Sequence, residues 1–212
     1  LRGPQIACLT PAHALGAVLP KTALVKAAIL VVADHGFSTI ERAIDVAALL
    51  RAAGFDAVRA FTAPAHDGQV LVVSLGGSCE LYVIGHEPAV VGKLVDFLQH
   101  SDFAGVIFTR KKMTGTFTLA DAHLATPDAP DILFALRWND QPNEFGATGE
   151  VVSDLGKGRG QGTHSSLSPH DPHNTLIANG PEFRPGWNDP MPTGHIARAP
   201  DRPTATGLER AG

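Results

Sequence analysis

Residues 27–44 read AAILVVADHGFSTIERAI, and within them Ala28 to Ala33 form an apolar run with no polar interruption before Asp34 and His35. A run of this kind predicts a central parallel strand covered on both faces. In open α/β sheets such strands present their functional residues at the carboxyl end. After Gly36, Ser38-Thr39-Ile40-Glu41 has the form of a capping box, and Ile40, Ala43, Ile44 and Ala47 fall on one helical stripe. A helix over 39–53 is therefore expected, closed by Gly54 in a left-handed cap. Asp34 and His35 then sit on a tight strand-to-helix turn. There, a carboxylate and an imidazole side by side offer hard oxygen and borderline nitrogen to one divalent ion at about 2.0–2.2 Å. A plain turn or cap role for Asp34 is the competing reading.

The rest of the chain extends the alternation. A short strand near Ala57–Ala60 follows. GQVLVVSLGGSCELYVIG gives two apolar runs around Gly76-Gly77, which predicts a β-hairpin. Pro88 opens a helix whose Val91, Leu94, Val95 and Leu98 share a face. GVIFT (105–109) and ILFALRW (132–138) are further strands. The expected architecture is α/β, with a mixed, largely parallel central sheet flanked by helices. From Asn139 to Asn174, Gly, Pro, Ser, Asn and His dominate, which predicts a long site-forming loop, followed by the apolar island TLIA at 175–178. Residues 196–212 lack periodicity and read as a frayed tail.

At 212 residues and 44% hydrophobic content the chain can bury a core, and its net charge of -4 argues against a nucleic-acid surface. Two cysteines, Cys8 and Cys79, are too few for a disulfide framework, and Cys79 beside a strand reads as a buried thiol. No apolar run approaches the roughly 18–20 residues that span a bilayer. The opening LRGPQIACLTPAHALG has neither an initiator Met nor the layout of a signal peptide, so processing or truncation is expected to have removed what came before.

A second candidate site lies in GRGQGTHSSLSPHDPHNTLIANGPEF, where His164 follows Gly158, Gly160 and Gly162, with His170 and His173 nearby. The glycines let the backbone fold closely around a ligand; a mobile histidine-containing loop is the alternative. Arg110, Lys111 and Lys112 could meet a phosphate but read as a solvated edge. His86 and His123 have no partner motif, and Trp138 and Trp187 fit either a pocket or the core.

Three blocks, VVADHGFST, GGSCELYVIGHEPAVVGKLVDFLQHSDFAGVIFTR and GTHSSLSPHDPHNTLIANGPEFRPG, resemble successive blocks of the type I phosphodiesterase/nucleotide pyrophosphatase family of the alkaline phosphatase superfamily. The similarity runs over residues 28–195, in the family's order. It implies that the chain is the C-terminal part of a single alkaline phosphatase-like catalytic domain, incomplete at its N-terminus, that hydrolyses small-molecule phosphoric esters with two divalent ions, zinc in type. By this resemblance Asp34 and His35 match ligands of the ion that activates the nucleophile, and His164 matches a ligand of the other. The family's Gly after that His is Ser165 here. The family's Thr or Ser nucleophile and an Asp ligand are expected upstream of residue 1. His13 resembles the second half of the family's Asp-x-x-x-His pair, but Leu9 stands where its Asp belongs. No catalytic nucleophile is assigned; Thr39 and Ser165 are the hydroxyls to test first. The resemblance suggests a periplasmic or extracellular location. An inactive fragment or non-enzymatic binding domain of the same fold, and a phosphomutase or sulfatase-like member of the superfamily, remain as alternatives.

Overall fold

The computed structural model describes residues 29–155, 158–172, 175–180, 183, 185, 186 and 188. His13, Cys8, His173, Trp187 and the 196–212 tail lie outside them. In chain order the elements are β1 (Ile29–Val32), β2 (Ser38–Ile44), α1 (Val46–Ala52), β3 (Ala57–Val58), β4 (Val70–Ser74) and β5 (Ser78–Val83). They continue with α2 (Pro88–Gln99), β6 (Ala104–Thr109), β7 (Phe117–Thr118), β8 (Ile132–Leu136), β9 (Trp138–Pro142), β10 (Thr148–Asp154), β11 (Gly162–Thr163) and β12 (Leu176–Asn179). Two compact units divide the chain, one made of Leu1–Gly36 with Pro172–Gly212, the other of Phe37–Asp171.

The expected α/β architecture is not what forms. The described residues are mostly β-sheet with two α-helices, and most strand pairs are antiparallel. In the larger unit a six-stranded sheet runs β3-β4-β5-β8-β6-β7 and a four-stranded sheet runs β11-β2-β10-β9. The parallel pairs are β3 with β4, β6 with β7, and β2 with β10.

The predicted central strand is also corrected. In the smaller unit β1 pairs antiparallel with β12 in a two-stranded sheet, and Leu30, Val31 and Val32 are 53, 46 and 51% exposed. An uninterrupted apolar run specifies an extended segment but not its neighbours. Here the only described partner, Leu176–Asn179, leaves the faces of β1 open.

Ser38–Ile44 is likewise a strand, not the first turns of a helix. Ser38 and Ile40 are buried on one face, the β-branched Thr39 and Ile40 suit the pleat, and β2 is paired on both edges by β10 and β11. Two ladders outweigh a local capping pattern that satisfies only a few amides. The helix begins later, capped by Asp45, whose carboxylate accepts from the Ala48 amide at 3.1 Å. It does end at Gly54, which has φ of 91°. The stretch 139–174, expected as a loop, contains β9, β10 and β11, and β10 is largely buried because its Val151, Val152 and Ser153 are enclosed.

Where hydrophobic periodicity is strong, the elements form where they are expected. The hairpin β4–β5 closes through Gly76-Gly77, Leu75 N–H donating to Ser78 O at 2.9 Å. Helix α2 has Pro88 at its first turn and buries Leu94, Val95 and Leu98. Those residues join Val46 and Leu50 of α1 against Val70, Val72, Leu81, Val83, Ile107, Ile132 and Phe134, so both helices pack on one face of the six-stranded sheet.

A single buried carboxylate ties these parts together. Asp154, at the end of β10, accepts from the Val46 amide at 2.8 Å and from both terminal nitrogens of Arg59 at 2.7 and 2.9 Å. Its Oδ2 also accepts from the Cys79 thiol at 3.2 Å. Arg59 reaches on to Asp45 at 2.8 Å, and that hydrogen bond holds the Asp45 carboxyl below its usual range. Burial, reinforced by the Asp154 charge, pushes the Cys79 thiol well up.

Two expectations follow. Asp154→Ala leaves the Val46 amide without its acceptor and the partly buried Arg59 guanidinium with Asp45 alone, and should cost about 2–4 kcal/mol, measured by urea denaturation; a loss below about 1 kcal/mol would show that the pair is dispensable. Cys79 should resist alkylation in the folded protein at neutral pH and react on unfolding, because the thiolate is the nucleophile. Since the folded-state thiol is raised above its unfolded value of about 8.5, its contribution to stability is complete below that pH and is lost as pH rises past it. Cys79→Ala should flatten that alkaline loss.

Candidate functional site

Asp34 and His35 follow β1 after Ala33, in the smaller unit. The His35 amide donates to Asp34 Oδ1 at 3.0 Å, which folds the carboxylate back over the turn. Its other oxygen, Oδ2, stands 3.4 Å from His35 Nε2. On the far side of the ring, Nδ1 lies 2.7 Å from Gly36 O. A carbonyl oxygen can only accept, so Nδ1 carries a proton.

The donor chemistry of the pair, one carboxylate and one imidazole, is of the kind that divalent ions take. The Oδ2 to Nε2 separation is longer than the usual 2.7–3.2 Å of a nitrogen–oxygen hydrogen bond. It is close to the edge, about 3.3–3.4 Å, of a tetrahedron with bonds of about 2.0–2.1 Å, and it is equally within the reach of an Asp–His ion pair. Backbone carbonyls that take the second ring N–H are also the usual orienting partners of metal-binding histidines. Among the described residues no group of three or more His, Cys, Asp or Glu side chains is gathered as a metal cluster; the pair supplies two donors.

His164 belongs to the larger unit, just after β11. The 163–171 loop is fastened from two sides. Asp171, 5% exposed, accepts from Ser38 Oγ through one oxygen and, through the other, from the Ser166 amide at 2.8 Å and Ser166 Oγ at 2.7 Å. At the hairpin tip, Gly77 N–H donates to His164 O at 2.8 Å. A Cβ on Gly77 would lie 2.6 Å from Ser166 N and 2.7 Å from His164 O, so the approach requires glycine. The imidazole packs edge-on against Phe37, with ring centroids 5.6 Å apart, and its Nδ1 lies 2.8 Å from Ser165 Oγ. Ser165 has φ of 68°, in the left-handed region that glycine adopts at no steric cost.

His170 is turned elsewhere, its Nε2 3.1 Å from Asp140. Thr39 Oγ1 accepts from Asn143 at 2.9 Å, a structural partner, and Trp138 is 38% exposed and so not a core residue. Sequence reasoning passed over three buried carboxylates, Asp131, Asp154 and Asp171. Their signal was present: Asp131 immediately precedes ILFAL, and Asp154 closes the strand TGEVVSD. An acidic residue abutting a buried strand needs partners, because an unpaired buried charge is costly.

In comparisons with known protein families, curated proteins and solved structures, nothing matches this chain.

Gly77→Ala should destabilise the protein by about 1–3 kcal/mol and speed amide exchange across 163–168. Gly92→Ala in α2, where a Cβ meets nothing within 4 Å, should instead stabilise by about 0.5–1 kcal/mol. Equal effects from the two substitutions would refute the close packing of the hairpin tip on the His164 loop.

Proposed function

We propose that this chain contributes metal ligands to a metal-dependent hydrolase of phosphoric esters, of the phosphodiesterase/nucleotide pyrophosphatase type. The observation that carries this reading is the Asp34–His35 pair, whose Oδ2 and Nε2 stand 3.4 Å apart while Nδ1 is committed to Gly36. Ser165 adds support, because the position occupied by glycine in the family that the chain resembles has a left-handed backbone here.

The residues divide the work by chemistry. Asp34 supplies the charge that offsets a divalent cation. His35, its tautomer set by Gly36, supplies a neutral nitrogen. His164, on a loop held by Asp171 and Gly77, supplies a second imidazole, assigned by the resemblance to another ion. Two divalent ions of the zinc type provide positive charge against the negative charge that develops as a phosphoester is cleaved. The substrate class is a small phosphate ester.

Zinc titration against a chromophoric chelator tests the assignment. Asp34→Ala and His35→Ala should each weaken zinc binding by more than the roughly 10–100-fold that loss of a merely supporting partner costs. His164→Ala should remove binding of a separate equivalent. Hydrolysis of a chromogenic phosphodiester should require zinc, stop on chelation and be lost in Asp34→Ala. Unchanged zinc affinity in Asp34→Ala, or turnover that survives chelation, would contradict the proposal.

A further inference from the structure

A second polar constellation lies in the larger unit, in residues with no part in the proposed metal centre. Asp131, just before β8, is 4% exposed. Its Oδ2 accepts from the Val83 amide at 2.8 Å, and its Oδ1 lies 2.7 Å from His86 Nδ1. His86 thus has the partner that its sequence context did not reveal. The ring sits at the bend from β5 into α2, where Gly85 and His86 both take positive φ, 76° and 53°. Left-handed backbone at a non-glycine residue costs on the order of 1–3 kcal/mol and persists where surrounding contacts enforce it.

These two residues border a cavity of about 250 Å³ together with Arg110 and Lys111. Pro88, Val91 and Met113 supply its apolar wall. Of the run expected as a solvated edge, Lys111 and Lys112 are exposed, whereas Arg110 is half-buried: it donates to Ala129 O, and its Nε lies 3.7 Å from Asp131 Oδ1. Lys111 forms no ion pair among the described residues.

We propose that this cavity binds a small monocarboxylate with an apolar body. Charge selects the head group. Both Asp131 oxygens are already engaged, so the carboxylate does not invite a cation, and two cationic side chains line the same cavity, Arg110 beside Asp131 and Lys111 next to Arg110 in sequence. With His86 uncharged, Arg110 and Lys111 against Asp131 leave one net positive charge among the lining side chains, which matches one negative charge better than the two of a phosphate monoester. Size and lining select the body. The volume falls just below the roughly 300–1,000 Å³ of sites for drug-sized ligands, and Pro88, Val91 and Met113 offer contact to an alkyl or aryl group and not to a sugar.

The test uses the full chain with chelator present, so that its outcome is independent of the metal centre. Hexanoate, hexyl phosphate and hexanamide are titrated against protein carrying ¹³C-methyl methionine, of which the sequence has two, Met113 and Met191. Hexanoate should bind with a Kd of about 1 mM and shift the Met113 methyl signal alone. Hexanamide should bind at least tenfold more weakly, and Lys111→Gln should weaken hexanoate about tenfold, the effect of losing one charge-assisted contact. Lys93→Gln, an exposed lysine of α2, should change nothing. Absence of a Met113 shift, equal binding of the amide, tighter binding of hexyl phosphate, or an unaffected Lys111→Gln variant would each overturn the proposal.

Discussion

Asp154 is the point at which the larger unit is knotted. Its carboxylate receives the amide that starts α1, the guanidinium that follows β3 and the thiol of β5, while its own backbone belongs to β10 of the other sheet. Burying one unpaired carboxylate would cost several kcal/mol, so these groups assemble together or the charge stays in water. Specificity of assembly is the consequence. The hydrophobic face formed by Val70, Val72, Leu81 and Phe134 could accept the helices in several registers, but only one places Val46 N–H and Arg59 on Asp154.

The same logic recurs on a smaller scale at Asp171 and Asp131. Each is a nearly buried carboxylate outside the strands, and each fixes a neighbouring turn or loop by taking an amide and a side chain at once. Asp171 gives the His164 loop a definite shape in a stretch whose small, Ser-rich side chains would otherwise leave it free. Gly77 completes that support by letting the hairpin tip approach within hydrogen-bonding distance of His164 O. Precise placement of an imidazole on a loop requires such anchoring.

Elements held by their own periodicity were legible in the sequence: the Gly76-Gly77 hairpin, the helix opened by Pro88, and the apolar strands at Ala104–Thr109 and Ile132–Leu136. What failed were the inferences about neighbours. Ile29–Val32 is a strand, but its apolar run does not say that its partner would be the short antiparallel Leu176–Asn179. Ser38–Glu41 carries a capping pattern, yet β10 and β11 claim the segment as a strand, and β10 itself lies in a polar region where a loop was expected. An α/β architecture was inferred by adding these local readings, and long-range pairing made it a mainly antiparallel β structure. The Asp34-His35 pair was legible as a candidate; the set of its imidazole by Gly36 O was not, because it depends on the backbone path of the turn.

X-ray absorption at the zinc edge of the loaded protein addresses the central claim most directly. The account predicts a shell of nitrogen and oxygen at about 2.0–2.1 Å with the multiple-scattering pattern of imidazole, and loss of part of that imidazole signal in His35→Ala. Cys79 is buried and its thiol is pushed well up, so Cys79 should contribute no sulfur ligand. A sulfur shell at about 2.3 Å that is lost in Cys79→Ala, or an imidazole signal untouched by His35→Ala, would contradict it.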